Sequence, residues 1–357
     1  MPGRDIVVVG ASAGGVEALG TLVSGLPEDL PAAIFVVLHV PDNGTSVLPS
    51  ILNRRGPLPA SHAVDGQEIR HGQIYVAPPD SHLVIKRGHL RLTRGPKENG
   101  HRPAVDPLFR TAARSYGRRV AGVVLSGTLD DGTAGLAAIK ERGGLAIAQS
   151  PDTALYPGMP LSAIENVQVD YILPVSEIAP LLAQLADEPV DERGDAAMSD
   201  EMEMEADIVE LEPHSLYSEK RPGVPSRFTC PDCNGVLWEI DDEGLLRFRC
   251  RVGHAYSSES LLAEQFDAVE SALWAALRAL EENISLASRV AARMRNRGHQ
   301  RTAERFERQV VEGERQAEVL RRVLMNRSPS DPAEPDASAD RLEAQEGAEA
   351  KPSGKSQ

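Results

Sequence analysis

The stretch Ile6-Val7-Val8-Val9-Gly10-Ala11-Ser12-Ala13-Gly14-Gly15 decides how the chain folds. Its four β-branched residues, bounded by glycine, predict a buried strand. The apolar spacing over 16–23 predicts a helix directly afterwards. Ser12 therefore lies at a sharp strand-to-helix turn, where flanking glycines permit positive φ and leave the hydroxyl uncovered. The N–H groups at the helix start are suitably placed to stabilise a developing oxyanion.

Three interpretations of this turn are open at the level of the motif alone: a serine nucleophile, an anion site, or a plain tight turn. Glycine-rich strand-to-helix turns often bind phosphate or a dinucleotide. Ser12 replaces the middle glycine of G-x-G-x-x-G, which disfavours the close backbone approach that a dinucleotide requires. The segment Gly10–Gly14 also satisfies the G-x-S-x-G pattern of the α/β-hydrolases.

Composition narrows the class of protein. A length of 357 residues suggests about two domains, and a net charge of −15 argues against general nucleic-acid binding. The sequence contains no apolar run long enough to span a membrane and no secretion signal. Its three cysteines form an odd set, which does not make a disulfide framework. We therefore expect a cytoplasmic protein without membrane insertion.

From Asp5 to about Leu185, short apolar runs alternate with helical patterns, which predicts a doubly wound α/β fold with a mostly parallel sheet. The glycine turn between two alternating runs in residues 82–92 predicts a β-hairpin inserted on the edge of that sheet. The predicted strands are Ile6–Val9, Ile34–Leu38, Ile74–Val76, Val123–Leu125, Leu145–Ala148 and Tyr171–Leu173, and the clearest helices are Pro107–Tyr116, Gly132–Arg142 and Val175–Leu185.

A serine nucleophile needs a base, and the base needs an orienting carboxylate. His39 follows the strand predicted at 34–38, and Asp130 and Asp131 follow the strand predicted at 123–125. Because parallel strands end at one edge of a sheet, these groups can converge with Ser12. Taken singly, His39 is also consistent with a partly buried structural histidine, and each aspartate with a helix N-cap.

The order serine, histidine, aspartate departs from the order in α/β-hydrolases, where histidine comes last. Residues 5–185 instead resemble the catalytic domain of the CheB-type chemotaxis protein-glutamate methylesterases. The matching segments, in chain order, are Gly10–Gly15, Leu38–Pro41, Ile74–Pro78, Arg102–Phe109, Ser126–Gly132 and Gly158–Pro160.

The resemblance implies a doubly wound domain that hydrolyses the γ-methyl ester of receptor glutamates to carboxylate and methanol, with no cofactor for catalysis. It implies Ser12 as nucleophile, His39 as general base and then acid, and Asp131 as orienting carboxylate. Asp131 is preferred to Asp130 because it directly precedes Gly132, as the aspartate of the family's turn precedes its glycine. The residues expected at the oxyanion and substrate pocket are Ala13, Gly14, Thr128 and Met159.

Two features depart from the family pattern. Thr128-Leu129 stands where the family commonly has Met-Gly, and Ala13 where it often has Thr, so the oxyanion contacts and substrate groove are expected to differ. The best-known members carry an N-terminal receiver domain, whereas the catalytic segment here opens the sequence, so we expect a stand-alone domain without receiver control. A protein-glutamine deamidase with the same triad and a non-catalytic signalling scaffold are the alternative functions.

The composition changes after Ala186 and suggests further modules. We predict the catalytic domain at 1–186, a linker at 187–225, a zinc-ribbon-like module at 226–257, a helical hairpin at 258–326 and a disordered tail at 327–357. The linker is strongly acidic, which indicates a solvated flexible segment, with an acidic docking site as the alternative.

All three cysteines lie in the zinc-ribbon-like module. Cys230 and Cys233 form one pair, and Cys250 and His254 form a second pair after sixteen intervening residues. This spacing predicts a structural zinc site with four protein ligands, with free thiols as the alternative. Since the surroundings are acidic, protein interaction is favoured over nucleic-acid binding as the module's role.

Helical periodicity dominates the predicted hairpin, whose turn is Arg297-Gly298-His299. The apolar stripe either packs within the hairpin or mediates self-association or partner binding. Its residues are Leu262, Phe266, Val269, Leu273, Leu277, Leu280 and Ile284. We expect the C-terminal modules to tether the enzyme to methyl-accepting chemoreceptors or related signalling proteins rather than to cover the active site.

Overall fold

The computed structural model describes residues 3–40, 46–191, 198–211, 223–242 and 244–326. The chain forms two compact units, one ending at Gln265 and the other beginning at Phe266. In the described part of the first unit, the strands form a seven-stranded sheet, a two-stranded sheet and a four-stranded sheet. None of the described helices combines the length and apolar character needed to cross a lipid bilayer.

The described strands, in chain order, are β1 (Ile6–Ala11), β2 (Ala33–Leu38), β3 (Ala60–His62), β4 (Gln73–Val76), β5 (His82–Lys86), β6 (His89–Thr93), β7 (Val120–Val124), β8 (Leu145–Gln149), β9 (Tyr171–Leu173), β10 (Val224–Thr229), β11 (Val236–Asp242), β12 (Leu245–Cys250) and β13 (Ala255–Ser257). The α-helices are α1 (Gly15–Ser24), α2 (Leu48–Arg55), α3 (Val105–Tyr116), α4 (Thr133–Glu141), α5 (Gly158–Asn166), α6 (Val175–Asp187), α7 (Asp200–Val209), α8 (Ser258–Asn296) and α9 (Gln300–Met325).

The large sheet is parallel throughout, in the order β3-β4-β2-β1-β7-β8-β9. Strand β1 is buried on both faces, as its run of β-branched residues predicts. Ile6 and Val8 join the core formed with α3 and α4, whereas Val7 and Val9 join the core formed with α1, α2 and α6. The predicted doubly wound α/β class is therefore confirmed.

The predicted β-hairpin forms, but not at the predicted place. Strands β5 and β6 form a separate two-stranded antiparallel sheet that is not hydrogen-bonded into the parallel sheet, and β6 also makes an isolated bridge from His89 to Glu68. Helix α3 holds this hairpin: Thr111 Oγ1 accepts the N–H of Ile85 at 3.2 Å, and Ser115 Oγ donates to the carbonyl of Ile85 at 2.8 Å. Strand β3 is absent from the sequence prediction because its residues Ala60-Ser61-His62 include none of the β-branched or large apolar residues that mark a strand.

The acidic segment predicted as a flexible linker contains helix α7. Met202 and Ala206 are fully buried on one side of this helix. Glu205 is also buried, and its carboxylate accepts hydrogen bonds from Arg247 and Arg249. The flexible-linker prediction is therefore wrong for residues 198–211, because arginines distant in sequence neutralise the acidic charge. The rest of the linker includes 192–197 and 212–222, which lie outside the described residues.

The remaining modules follow the expected order. Strands β10 to β13 form the antiparallel sheet of the predicted zinc-ribbon-like module. In the second unit, α9 and the part of α8 from Phe266 onward form an antiparallel hairpin, across which Arg321 pairs with Glu281 at 2.7 Å. The turn contains Gly298 at φ +80°, a conformation that favours glycine. The predicted disordered tail at 327–357 lies outside the described residues.

A substitution in α7 tests whether this helix is packed. Met202→Ala removes a fully buried side chain and should lower the free energy of unfolding by about 2–5 kcal/mol. Met204→Ala, on the same helix at a partly buried position, is the matched control and should cost much less. Denaturant unfolding followed by circular dichroism measures both. Equal, negligible effects of the two changes would show that α7 does not pack against the domain.

Candidate active site

Three loops at one edge of the parallel sheet carry the predicted catalytic residues. Ser12 follows β1, His39 follows β2, and Asp131 lies in the turn between β7 and α4. Strand β1 lies between β2 and β7, so the carboxyl ends of the three strands are adjacent. After β1 the chain first adds strands on the β2 side of β1 and later adds strands on the β7 side. Open α/β sheets form ligand sites at the strand ends where the strand order reverses in this way.

The structure brings the three predicted residues together. Nδ1 of His39 lies 3.1 Å from Oγ of Ser12, and Nε2 of His39 lies 2.7 Å from Oδ2 of Asp131. The Asp131 carboxylate accepts the Nε2–H, which leaves the Nδ1 lone pair facing the serine hydroxyl. His39 is buried, with 6% of its side chain exposed, while Ser12 is partly exposed. This arrangement allows His39 to take a proton from Ser12.

The Asp131 carboxylate is surrounded by hydrogen-bond donors. Oδ2 accepts the backbone N–H of Val105 at 2.7 Å, while Oδ1 accepts the N–H of Asp106 at 3.1 Å and the side-chain amide of Asn99 at 3.0 Å. Burial opposes ionisation of Asp131, but the hydrogen bond and charge of His39, together with these amides, outweigh it and hold its pKa below the ordinary value. Asp131 is therefore the ionised partner of His39.

Asp106 is a second buried carboxyl beside Asp131. Its Oδ1 accepts the N–H groups of Gly132 at 3.1 Å and Gly135 at 2.6 Å, and its Oδ2 accepts the amide of Asn99 at 3.0 Å. Burial and the neighbouring charge of Asp131 raise the pKa of Asp106 well above its ordinary value. Asp106 thus fastens the start of α4, directly after Asp131. Asp106 lies within the matching segment Arg102–Phe109, but nothing in the sequence pattern indicated this role.

Asp130, the alternative carboxylate at the sequence level, has a different partner. Its Oδ1 accepts the hydroxyl of Ser257, at 2.6 Å, from the end of strand β13. Asp130 is 9% exposed, and burial raises its pKa to about 7, although the hydrogen bond from Ser257 acts in the opposite direction. The two adjacent aspartates therefore differ: Asp131 is bonded to His39 and Asp130 to the zinc-ribbon-like module.

The turn after β1 leaves two backbone donors available. Gly14 has φ +70°, and a Cβ there would lie 2.7 Å from Oγ of Ser126, so a side chain does not fit. The N–H of Ser12 donates to the carbonyl of Ser126 at 3.0 Å. The N–H groups of Ala13 and Gly14 donate to no acceptor within the described part of the chain. They lie at the start of α1, where an anion is favoured.

The other two predicted pocket residues, Met159 and Thr128, differ in their exposure to solvent. Met159 is fully buried beneath Gly127, where a Cβ would lie 2.0 Å from Met159 Sδ and 2.9 Å from Ser12 Cβ. Met159 therefore supports the turn beside Ser12 and has no surface with which to contact a substrate, contrary to the prediction. Thr128 follows Gly127 and is partly exposed.

Sequence reasoning missed two residues that contact the predicted triad. The His101 ring stacks on His39 with centroids 3.7 Å apart, and Asn99 donates to Asp131. Both lie in the short polar loop Glu98-Asn99-Gly100-His101, directly before the motif at 102–109. The sequence signal available for these two residues was their position directly before the segment 102–109. A loop has no periodicity that would reveal which of its side chains turn inward.

The four predicted metal ligands form one cluster. One ligand atom from each of Cys230, Cys233, Cys250 and His254 lies within 4.8 Å of all the others. Sγ of Cys233 lies 3.6 Å from Sγ of Cys250, and Nδ1 of His254 lies 3.6 Å from Sγ of Cys230. Zinc–sulfur bonds of about 2.3 Å in a tetrahedron place two sulfurs roughly 3.7 Å apart. The donor set and spacing thus fit zinc.

Comparisons with known proteins agree with the resemblance seen in the sequence. A family model described as CheB methylesterase matches residues 7–182. The protein-glutamate methylesterase/protein-glutamine glutaminase 2 of Anaeromyxobacter dehalogenans is 43% identical over 181 residues, which are 51% of this chain and 53% of that protein. The putative protein-glutamate methylesterase/protein-glutamine glutaminase of Leptospira interrogans is 37% identical over 190 residues, 53% of this chain and 98% of that protein.

A solved structure, the Thermotoga maritima CheB methylesterase catalytic domain, is 38% identical and matches with a TM-score of 0.49, over 51% of this chain and 98% of its own. The chain spans about half the length of several curated relatives, including the Anaeromyxobacter protein and one from Pyrococcus abyssi.

The raised pKa of Asp130 predicts how stability depends on pH. The folded protein keeps the Asp130 proton up to about pH 7, whereas the unfolded chain releases it near 3.8, so stability should fall as pH rises between these values. Asp130→Asn should remove up to about 1.4 kcal/mol per pH unit of that dependence. Thermal unfolding at pH 5 and 7 measures it, with the exposed-site variant Asp152→Asn as control. Identical slopes for wild type and Asp130→Asn would contradict this assignment.

Proposed function

Because the chain belongs to the CheB methylesterase family, we propose that it is a serine esterase that hydrolyses glutamate γ-methyl esters on chemoreceptor-type signalling proteins. The observation that carries this proposal is the continuous hydrogen-bonded series Ser12–His39–Asp131. A nucleophile, a base with its lone pair toward that nucleophile, and an ionised carboxylate are the groups that acyl transfer requires.

In the first half of the reaction, Nδ1 of His39 takes the proton of Ser12 as Oγ attacks the ester carbonyl carbon. The resulting oxyanion is stabilised by the N–H groups of Ala13 and Gly14 at the start of α1. The imidazolium carries its positive charge between Ser12 and the ionised Asp131. His39 then gives the proton to the departing methoxide, which leaves as methanol and yields an acyl-enzyme on Ser12.

In the second half, water replaces methanol. His39 Nδ1 removes a proton from the water as its oxygen attacks the acyl carbon, and the proton is then returned to Ser12 Oγ as the glutamate carboxylate departs. The partial exposure of Ser12 is consistent with access for a side chain presented by another protein and for the water that hydrolyses the acyl-enzyme. Asp131 stays ionised throughout and fixes the tautomer of His39.

Deamidation of glutamine is the alternative reaction of the same groups. The curated relatives carry both activities in their names. The proton from His39 would then go to a departing amine, and ammonia would replace methanol as the product. A scaffold without catalysis is disfavoured because a binding surface does not need Nδ1 of a buried histidine directed at a partly exposed serine.

We propose methyl-accepting chemoreceptors, or related signalling proteins, as the partners. The tethering role predicted for the C-terminal region applies best to the second unit, since residues up to Gln265 share one compact unit with the catalytic domain. Self-association through α8 and α9 stays a prediction. Phe266, Val269 and Trp274 on α8 are each about half exposed, which is consistent with a further contact at that surface.

We propose that the Cys230, Cys233, Cys250 and His254 cluster binds one structural zinc ion. Tyr256 supports this assignment because its hydroxyl lies 3.7 Å from Sγ of Cys230 and donates to Asp232, as the outer partners of metal ligands do. Zinc would link the β10–β11 turn to the end of β12 and to the turn between β12 and β13. Four protein ligands leave no open position, so the ion would supply structure and no step of the hydrolysis.

The nucleophile is tested by Ser12→Ala in the full chain. Removing Oγ eliminates the acyl-enzyme route and should reduce methanol release from a methylated receptor by about 10⁴-fold or more. Ser24→Ala, at an exposed serine at the other end of α1, is the matched control and should retain activity. Ammonia release from an unmethylated glutamine receptor measures the alternative reaction. Undiminished hydrolysis by Ser12→Ala would exclude the proposed mechanism.

The metal site is tested by elemental analysis of the purified protein. We expect one zinc per chain in the wild type, and loss of zinc with a lower Tm in Cys233→Ser and His254→Ala, because the cross-link between the strands is lost. His299→Ala, at an exposed histidine in the α8–α9 turn, should change neither quantity. A metal-free wild type, or Cys233→Ser melting like the wild type, would refute the assignment.

A further inference from the structure

The Asn99 side chain connects the predicted triad to the zinc-ribbon-like module. Its Nδ2 donates to Oδ1 of Asp131 and to Oδ2 of Asp106, both at 3.0 Å. Its Oδ1 accepts the N–H of Ser257 and the hydroxyl of Ser260, both at 2.9 Å. Asn99 is buried, and both ends of its amide are therefore occupied by partners of matching chemistry.

Backbone pairing holds Asn99 at this junction. Its N–H donates to the carbonyl of Ala255 at 2.8 Å, and the N–H of Ala255 donates to the carbonyl of Lys97 at 3.2 Å. Asn99 has φ +51°, a conformation that asparagine tolerates better than most residues. The loop before α3 is thus an additional partner of strand β13.

The chemistry at the two ends fixes the direction of the amide. The carboxyl groups of Asp106 and Asp131 accept hydrogen bonds from the amide nitrogen of Asn99. The N–H of Ser257 and the hydroxyl of Ser260 donate to its amide oxygen. A reversed amide would point its oxygen at the ionised Asp131 and its nitrogen at the N–H of Ser257, so both of these bonds would be lost. The donors from Ser257 and Ser260 therefore help determine that an N–H points at Asp131.

We propose that the zinc-ribbon-like module and the first turn of α8 complete the active site, with Ser257 and Ser260 as positioning residues that hold Asn99, which in turn orients the ionised Asp131 carboxylate toward His39. This inference rests on the proposed esterase function. Neither Asn99 nor the serines touch the reacting atoms. Their effect is on how well Asp131 holds His39 while the imidazolium forms, a transition-state interaction that changes kcat more than KM.

The charge network beneath the junction supports a fixed docking of the module. Arg249 of β12 donates to Glu98, the neighbour of Asn99, at 2.8 Å and to Glu205 of α7 at 2.9 Å. Arg110 of α3 donates to the same Glu98 at 2.5 Å. All four of these side chains are almost fully buried, so removing the module would leave buried charges without partners.

Two variants of the full chain test the proposal. Ser260→Ala removes one donor to Asn99 and should reduce kcat about tenfold with little change in KM, since one buried hydrogen bond is worth roughly that factor. Asn99→Asp is nearly isosteric and keeps an acceptor for both serines, but places a further carboxyl beside Asp131. Asp131 then loses an N–H donor and gains a carboxyl neighbour, so it holds its negative charge beside His39 less well. We therefore expect kcat to fall and the acid limb of the pH profile of kcat/KM to shift from its wild-type position.

Ser258→Ala is the control, because Ser258 lies between the two serines in sequence and is exposed. Histidine ¹⁵N NMR of the same variants follows protonation of His39 without turnover. If the wild type hydrolyses no methyl ester but Asn99→Asp shifts the His39 titration, the proposed function fails and the positioning role stands. The inference is overturned if folded Ser260→Ala and Asn99→Asp keep the wild-type kcat and titration, or if Ser258→Ala loses as much activity as Ser260→Ala.

Discussion

The structure of the site depends on keeping one buried carboxylate ionised. Asp131 is almost completely removed from solvent, and burial alone would drive it toward the neutral acid. It stays charged because His39, two backbone N–H groups at the start of α3 and the amide of Asn99 all donate to it. These donors come from the end of β2, the start of α3 and the loop that precedes α3. The order of the strands, the placement of α3 and the loop before α3 are therefore all needed for Asp131 to orient His39.

The need to hold Asp131 in its ionised form also involves the zinc-ribbon-like module, which belongs to the same compact unit as Ser12, His39 and Asp131. Asn99 is directed by Ser257 and Ser260, and its neighbour Glu98 is held by Arg110 and Arg249. Helix α7 contributes Glu205 to this buried network. A buried ion pair adds little net stability but is costly to break, so it favours one fixed geometry of the junction. Within the described residues, the module acts as a supporting part of the site while Ser12 keeps its access to solvent.

Much of this could be predicted from the sequence where the pattern is local. The β-branched run before Ser12 predicts the central strand, and strand-end placement predicts that Ser12, His39 and Asp131 meet. Local pattern could not predict that Glu205 is buried, since its partner Arg249 lies 44 residues away. It also could not place the hairpin at β5 and β6 on α3, because the contact is made by Thr111 and Ser115 through tertiary packing. Asn99 was missed for the same reason: its partners come from three separate segments, at Asp106, at Asp131 and at 255–260.

The account turns on which ring nitrogen of His39 carries the proton in the neutral imidazole. Histidine ¹⁵N NMR of the full-length wild type measures this directly, because protonated and unprotonated ring nitrogens have well-separated chemical shifts. The structure predicts the tautomer with hydrogen on Nε2, held by Asp131, and an unprotonated Nδ1 facing Ser12. A neutral ring protonated on Nδ1 would mean that Asp131 does not hold His39 as described, and would contradict the account.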